Sequence, residues 1–191
     1  FPESLTRIDY AAFTGCDALM SVTLPTGVTN IGDYALQDTR CYVMHGTDTA
    51  KALSKAKCRF WEGDLAYQYV YDEDSITGLK VVGCDPYVTS VVILNGVTSI
   101  GDGAFYNCSS LTSVTFPDSL TSIDIWAFEG CSSLASVSLP DHIKSIGHDA
   151  FESLTKCYTN FGTDTAEALS KAQCRFWNGD LAYQYVYDED N

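Results

Sequence analysis

The segment VTSIGDGAFYNCSSLTSVTFPDS (97–119) is followed directly by LTSIDIWAFEGCSSLASVSLPDH (120–142) and then by IKSIGHDAFESLTKCYTNFGTDT (143–165), each 23 residues long. The first two segments keep apolar or small residues at eight equivalent positions. These are Ile100, Ala104, Phe105, Cys108, Leu111, Val114, Phe116 and Pro117, which recur as Ile123, Ala127, Phe128, Cys131, Leu134, Val137, Leu139 and Pro140. A repeat of this length predicts a solenoid, because one coil buries its apolar face only by stacking on another.

Spacing within one repeat indicates its local structure. Val114 and Phe116 flank Thr115, as expected for one face of a short strand, and Pro117 lacks the donor needed to continue it. Residues 100, 104 and 108 are four apart, which favours a tight helical turn that directs Phe105 inward. Each repeat is therefore predicted to contain one short strand and one helical turn.

A longer repeat contains the shorter one. Residues 47–74 return at 163–190 with only three differences, and residues 1–16 realign with 116–131. The three differences are Lys51/Glu167, Lys57/Gln173 and Glu62/Asn178, and each changes a charge. The chain is therefore predicted to be a slice of a tandem array whose unit is about 116 residues long.

The array predicts the domain organisation. Residues 1–63 form the C-terminal part of one unit, 64–179 a complete unit, and 180–191 the start of the next. The first part contains repeats 5–27 and 28–49 and a cap at 47–61. The complete unit contains a β-rich joint at 64–96, repeats 97–119, 120–142 and 143–165, and a cap at 163–177. Gly63 and Gly179 mark the predicted unit boundaries.

Each cap is predicted to be a short helix followed by a strand. Thr47-Asp48 and Thr163-Asp164 supply helix N-cap residues, and Ala50, Leu53 and Ala56 fall on one side of the first helix. Residues 58–61 then form a strand. This element would cover the apolar end of the stacked coils.

The repeat L-x-x-I-x-x-x-A-F-x-x-C-x-x-L-x-x-V-x-x-P resembles that of the BspA-like leucine-rich-repeat family. Close matches lie at 5–27, 97–119 and 120–142, and weaker ones at 28–49 and 143–165. The resemblance implies a β-dominated α/β repeat fold, namely a right-handed leucine-rich-repeat solenoid with short helical turns and a helix-strand cap closing each block. It also implies surface exposure, adhesion and protein binding.

Composition limits the classes of partner. Hydrophobic residues make up 46% of the 191 residues, enough for a buried core, and the formal net charge is -14 with 11 Lys plus Arg. This acidic balance argues against nucleic acid and anionic membranes, which bind basic surfaces. No run of 18 apolar residues occurs, so no membrane insertion is predicted for this segment.

The eight cysteines suggest disulfides and not a metal site, because none forms a C-x-x-C pair. Cys41 with Cys58 and Cys157 with Cys174 are the stronger candidates, since both pairs bracket a cap helix at the same separation. If both members of a pair began adjacent parallel strands, they would lie within disulfide range. Cys84 with Cys108 is a weaker candidate. Pairs of buried thiols are the alternative.

Three further motifs have a functional and a plainer interpretation. The aromatic residues form candidate interfaces, although alternating aromatics also pack a strand face; they are Trp61, Tyr67, Tyr69, Tyr71, Trp177, Tyr183, Tyr185 and Tyr187. The acidic triplets 72–74 and 188–190 lack the glycine and glutamate of an EF-hand and are predicted to be solvated turns. Asn107 begins an N-glycosylation sequence, Asn-Cys-Ser, which also occurs by chance.

No catalytic motif stands out, and no catalytic residue, cofactor or metal ligand is predicted. His45, His142 and His148 occur in unlike contexts, whereas almost every other feature is repeated. The predicted function is a non-catalytic extracellular or cell-surface protein that binds a protein or cell-surface ligand. One alternative is a structural subunit of an extracellular fibre, sheath or coat, in which neighbouring copies pack head to tail. Another is an intracellular scaffold, which would require free thiols.

Overall fold

A computed structural model describes residues 1–36, 39–151, 155–172 and 174–183. The chain forms two compact units, Phe1–Val82 and Gly83–Asn191. Within the residues described, both consist mainly of short strands, and each contains one short helix.

The first unit contains parallel coils that end in a helix and a hairpin. Its elements are β1 (Arg7–Ile8), β2 (Ser21–Thr23), β3 (Asn30–Ile31), β4 (Arg40–Tyr42), α1 (Asp48–Lys55), β5 (Phe60–Glu62), β6 (Leu65–Asp72) and β7 (Ser75–Cys84), the last of which ends at the first residues of the second unit. Strand β1 pairs in parallel with β3, and β2, β4 and β5 form a second parallel set. Strand β6 runs antiparallel to β5, and β7 lies on its other side.

The second unit repeats this plan with more coils. Its elements are β8 (Ser90–Val92), β9 (Val97–Ile100), β10 (Ser113–Thr115), β11 (Ser122–Ile123), β12 (Ser136–Ser138), β13 (Ser145–Ile146), β14 (Lys156–Tyr158), α2 (Asp164–Lys171), β15 (Phe176–Asn178) and β16 (Leu181–Tyr183). Strands β9, β11 and β13 are parallel neighbours, as are β8 and β10. Strands β12, β14 and β15 are parallel, and β16 pairs antiparallel with β15.

Each full repeat contributes two strands, not the single strand predicted. The predicted strand is β10 in one repeat and β12 in the next. The additional strand lies at the Ser-Ile pair, where Ile100 aligns with Ile123 and Ile123 with Ile146. Between the two strands, residues 101–110 form successive tight turns instead of a regular helical turn, with Ala104 N–H donating to Gly101 O and Cys108 N–H to Phe105 O, each at 3.1 Å.

A phenylalanine ladder holds the coils of the second unit together. The rings of Phe105 and Phe128 stack with centroids 4.7 Å apart, and those of Phe128 and Phe151 stack at 5.2 Å. Beside the ladder, Phe105 N–H donates to Ala127 O at 2.8 Å. The same side-chain stacking and backbone hydrogen bonds therefore recur between successive coils. The predicted β-dominated solenoid is confirmed.

The cap helices begin directly after the predicted N-cap residues, Thr47 and Thr163. The Thr47 hydroxyl accepts a hydrogen bond from Ala50 N–H at 3.2 Å, and Ala50, Leu53 and Ala56 are buried. Sequence reasoning missed the buried Thr49. Its hydroxyl donates to Pro25 O at 2.5 Å and accepts from Val28 N–H at 2.9 Å. In the second unit, Thr165 makes the equivalent contacts with Pro140 O and Ile143 N–H.

The predicted joint at 64–96 contains two kinds of structure. Strands β6 and β7 form a hairpin, whereas β8 pairs in parallel with β10, so Val91 lies beside Val114, one repeat further on. The segment around β8 is therefore already a coil. Gly63, the predicted boundary, lies in the turn between β5 and β6 within the first unit. Division of the array into units of about 116 residues remains a prediction.

One repeat position has left-handed backbone conformation in every coil where it is described. It immediately precedes the alanine of the repeat, such as Ala104. Its occupants are Ala11 (φ 55°), Tyr34 (φ 60°), Gly103 (φ 56°), Trp126 (φ 53°) and Asp149 (φ 53°). Positive φ is unfavourable for residues with a Cβ atom. The geometry of the coil therefore overrides local preference at this position.

Candidate functional site

The outward side of β8, β10 and β12 forms an exposed surface that we call the hydroxyl face. The middle residue of each of these strands points toward the core, so the flanking residues point outward. Parallel register aligns the flanking residues of β8 with those of β10, and β12 lies beside β10. The face consists of Ser90, Val92, Ser113, Thr115, Ser136 and Ser138, all exposed. It is uncharged and offers repeated hydroxyl groups.

Next to the hydroxyl face lies a cluster of a cation and two aromatic rings. Lys156 Nζ lies 4.4 Å from the centroid of the Trp177 ring, and the Tyr158 and Trp177 centroids are 6.4 Å apart. Register continues from β12 through β14 to β15, so Tyr158 lies between Ser138 and Trp177. A cation over an indole ring is an attractive contact. This cluster supplies the charge and aromatic area that the hydroxyl face lacks.

The first unit contains the same cluster. Arg40 lies 4.4 Å from the Trp61 ring centroid, and the Tyr42 and Trp61 centroids are 6.4 Å apart. Sequence reasoning identified the two tryptophans but missed their partners. The signal was present, because Arg40-Cys41-Tyr42 occupies the positions of Lys156-Cys157-Tyr158 in the longer repeat.

A carboxylate borders the second cluster. Asp141 and Asn160, together with Tyr158 and Trp177, line a shallow depression of about 260 Å³. The Asn160 amide nitrogen donates to an Asp141 carboxylate oxygen at 2.6 Å, and this hydrogen bond is the main cause that lowers the pKa of Asp141. Asp141 therefore stays ionised at neutral pH. The depression combines a carboxylate with aromatic rings.

The predicted interface aromatics of the first unit contribute mainly to its core. Trp61 and Tyr67 are buried, and the Phe60 ring stacks on Tyr67 at 5.8 Å and on Tyr69 at 5.6 Å. The Tyr71 hydroxyl donates to Lys51 O on α1 at 3.2 Å. This tyrosine stripe thus packs against the cap, in line with the plainer interpretation.

The corresponding aromatics of the second unit are less buried. Trp177 and Tyr183 are half-buried, and Tyr183 stacks on Phe176 at 5.7 Å. Tyr185 and Tyr187 lie outside the described residues. A role of these side chains in an interface remains a prediction.

One of the three candidate cysteine pairs is bonded in the structure. A disulfide joins Cys84 to Cys108, whereas Cys41, Cys58, Cys157 and Cys174 are free thiols. Register explains the difference for the first cap, because Cys41 lies opposite Phe60 and Cys58 precedes β5. The two cysteines of the first cap therefore do not begin adjacent parallel strands, as the predicted pairing required. The two cap disulfides remain predictions.

Burial suppresses ionisation of the cap thiols. It raises the pKa of Cys41 to about 12, and it raises the pKa of Cys157 as well. Thiols are nucleophilic as thiolates. Both cysteines are therefore poor nucleophiles at neutral pH, as expected of packing residues.

The remaining predicted motifs that fall within the described residues lie on the surface. Asn107 is exposed, has φ 59° and donates its N–H to Glu129 O at 2.9 Å. Its glycosylation remains a prediction. The acidic triplet 72–74 consists of the last residue of β6 and the two-residue turn before β7, and the Asp74 Oδ1 atom lies 3.3 Å from Lys55 Nζ. The triplet 188–190 lies outside the described residues.

The three histidines make different contacts. His45 Nδ1 lies 2.9 Å from a Glu62 carboxylate oxygen, His142 contacts Asp118 O, and His148 Nδ1 lies 3.1 Å from an Asp149 carboxylate oxygen. Within the described part of the chain, no group of three His, Cys, Asp or Glu side chains is arranged to hold a metal ion. None of its helices is long and apolar enough to span a bilayer.

Comparison with known proteins gives a family match. The model for the BspA type leucine rich repeat region matches residues 1–54 and 83–172, in six copies. No curated protein sequence is similar to the chain at a significant level.

Similar solved structures include a leucine rich cell surface protein from Faecalibacterium prausnitzii A2-165, which is 24% identical with a TM-score of 0.45. That match covers 83% of this chain and 46% of the other. Another is the leucine rich repeat protein of T. pallidum, 24% identical with a TM-score of 0.40, covering 49% of this chain and 57% of the other. The chain spans about half the length of each of these proteins.

Proposed function

Because the chain belongs to the BspA-type leucine-rich-repeat family, we propose that it is a non-catalytic cell-surface or extracellular protein that binds a protein ligand through the hydroxyl face. The observation that carries this proposal is the register of β8 and β10, which aligns exposed hydroxyl side chains across neighbouring coils. A broad polar surface without a deep cleft suits a protein partner better than a small substrate.

The neighbouring cluster supplies an anchor for such a partner. Tyrosine and tryptophan contribute strongly to binding energy at protein interfaces, and Trp177 is half-buried beside the exposed Lys156. Serine and threonine hydroxyls both donate and accept hydrogen bonds. A ligand would therefore place apolar groups near Trp177 and polar groups along the strands.

The disulfide supports an oxidising compartment. Disulfides such as Cys84–Cys108 persist in secreted and surface-exposed proteins and are rare in the reducing cytosol. The acidic net charge of -14 is consistent with a protein partner rather than nucleic acid. Adhesion would follow if the ligand lies on another cell or on a matrix.

The experiment is a binding assay of the full chain against immobilised extracellular-matrix and serum proteins. We expect saturable binding to at least one of them, reduced at least tenfold by the double substitution Thr115→Arg, Ser138→Arg. Both side chains are exposed, so the fold should tolerate the change. The matched control is the double substitution Ser110→Arg, Ser133→Arg, which adds the same charge at two exposed serines outside the face.

Two results would contradict the proposal. One is the absence of binding across the panel. The other is equal loss of binding in Thr115→Arg, Ser138→Arg and in Ser110→Arg, Ser133→Arg, because this would place the contact elsewhere or show a general charge effect.

A further inference from the structure

An exposed tryptophan occupies the left-handed position in a middle coil of the second unit. Trp126 has φ 53° and is 45% exposed. The coil before it contributes Gly103 at the same position and the coil after it Asp149, and Gly103 N–H donates to Ile125 O at 3.1 Å. A described coil therefore lies on each side of Trp126, so the ring is exposed within a stack and not at its end.

Tryptophan is an unfavourable occupant of this position for the fold alone. A left-handed backbone disfavours any residue with a Cβ atom, and Gly103 fills the equivalent position without a side chain. Large apolar side chains stabilise a fold by leaving water, yet this ring stays nearly half exposed. It packs edge-to-face on His148, with ring centroids 6.0 Å apart. A residue that is both strained and exposed is a candidate binding residue.

Three successive turns surround Trp126 and carry four carboxylates but no Lys or Arg. The turns, which together we call the turn surface, are residues 101–107, 124–130 and 147–151. Two of the carboxylates are exposed and two are half-buried; they are Asp102, Asp149, Asp124 and Glu129 respectively. His148 is the only residue of these turns that can become positively charged, and it does so only when protonated. The turn surface is therefore complementary in charge to a cation.

We propose that the turn surface binds an arginine-containing segment of a protein partner, with a guanidinium group over the Trp126 ring and the carboxylates around it. Indole is the best aromatic partner for a cation, and the planar guanidinium also stacks on it. A neutral sugar on the ring would leave the repulsion between the carboxylates in place, whereas a cation relieves it. The hydroxyl face consists of other residues, so this inference does not rest on the proposed function.

The test uses the full chain and a fluorescently labelled peptide of alternating arginine and glycine. We expect saturable binding by fluorescence anisotropy, weakened about tenfold by Trp126→Gly. This substitution changes no charge, and glycine suits the left-handed backbone, so the variant should fold at least as well as the unmodified chain. The matched control Tyr87→Gly removes a ring that is 84% exposed in the same unit and should leave binding unchanged.

The carboxylates are tested separately, because the whole chain is acidic. Asp102→Asn, Asp149→Asn should weaken binding about fivefold at low salt. Asp64→Asn, Asp72→Asn removes the same charge from two exposed positions of the first unit and should have a clearly smaller effect. A lysine-glycine peptide of equal length should bind more weakly than the arginine peptide, since the ammonium group cannot stack.

A second variant and a second measurement cover the case in which Trp126→Gly fails to fold. Asparagine also tolerates the left-handed conformation, so Trp126→Asn should weaken binding to a similar degree. In the unmodified chain the arginine peptide should protect tryptophan fluorescence from quenching by acrylamide. This protection should be absent from the Trp126 variants.

Several results would overturn the proposal. Failure of the arginine peptide to bind is one, and equal binding by Trp126→Gly and the unmodified chain is another, because the peptide would then respond only to net charge. Binding of an uncharged oligosaccharide that requires Trp126, without binding of the peptide, would assign the surface to a sugar. Self-association in sedimentation that disappears in Trp126→Gly, again without binding of the peptide, would assign it to a second copy. Loss of ligand binding in Thr115→Arg, Ser138→Arg concerns only the hydroxyl face.

Discussion

At the scale of single residues, the left-handed position of the repeat allows a direct test of backbone strain. Ala11 occupies this position with φ 55°, and Gly103 occupies the equivalent one with φ 56°. We expect Ala11→Gly to raise the free energy of unfolding by about 0.5–1 kcal/mol and Gly103→Ala to lower it by about 1 kcal/mol. Urea denaturation monitored by circular dichroism measures both changes.

A steric clash would not explain a loss of stability in Gly103→Ala, because a Cβ atom there would meet only the Tyr106 Cβ at an ordinary contact distance of 3.5 Å. Changes of the same sign in the two variants would therefore contradict the assignment of strain. Gly32 is a useful contrast. A Cβ atom on Gly32 would lie 2.3 Å from Tyr10 N, so Gly32→Ala should destabilise the chain by a steric clash instead.

The sequence does not reveal this left-handed position. Its occupants include alanine, tyrosine, tryptophan and aspartate, and only Gly103 is the residue expected there. The apolar positions, in contrast, are evident in the sequence: Ile100, Phe105 and Leu111 are buried as the repeat predicts. Buried positions can be identified because apolar residues occupy them. A backbone conformation imposed by neighbouring coils cannot, because residues of different types occupy it.

At the scale of elements, Thr49 links the first cap helix to the coil before it. Thr49→Val keeps the size of the side chain but leaves Val28 N–H and Pro25 C=O without their partner, so we expect the free energy of unfolding to fall by about 1–3 kcal/mol. Thr165→Val should produce a similar loss in the second unit. Thermal and urea denaturation would measure both.

Thr49→Ser is the control, since it retains the hydroxyl group and should recover much of the loss. Equal destabilisation by serine and valine would indicate that the threonine methyl group, not the hydrogen bonds, is responsible.

The disulfide is the second testable element. It closes a loop between residues separated by 24 positions, which corresponds to about 3 kcal/mol in the chain-entropy description. Reduction should therefore lower the free energy of unfolding of the unmodified chain by about this amount. Reductant should have little effect on Cys84→Ala, and an equal effect on both proteins would locate the sensitive bond elsewhere.

Elements differ in how well the sequence predicts them. The helix α1 was predictable because its N-cap Thr47 and its buried face lie within a few residues of each other. Strands such as β11, with two residues, are too short to show alternation, and they exist because parallel neighbours lie on both sides. Pairing of the cap cysteines depends on register between strands, which the spacing of cysteines does not specify.

At the scale of the whole molecule, the excess of acidic residues controls solubility. The formal net charge is -14 at pH 7 and the isoelectric point is about 4.3. We expect solubility to be lowest near pH 4.3 and high at neutral pH, because repulsion between molecules disappears as the net charge approaches zero. Turbidity measured against pH at fixed low salt tests this, and a solubility minimum near pH 7 would contradict it.

The hydroxyl face also belongs to this scale and was not predicted as a site. Serine and threonine at the flanks of a strand are unremarkable in any one repeat. They form a surface only because the coils stack, which places Ser113 beside Ser90 of the neighbouring coil. Sequence reasoning pointed instead to the aromatic stripe, much of which is internal in the first unit.

The ladder of Phe105, Phe128 and Phe151 has an evolutionary consequence. Its members are joined by the same kind of contact at each step, and backbone hydrogen bonds advance from coil to coil in parallel with them. Gain or loss of one complete coil by recombination would place a phenylalanine on an equivalent phenylalanine again. Genes encoding such a stack can therefore change length in whole-coil steps while each surviving interface keeps its chemistry.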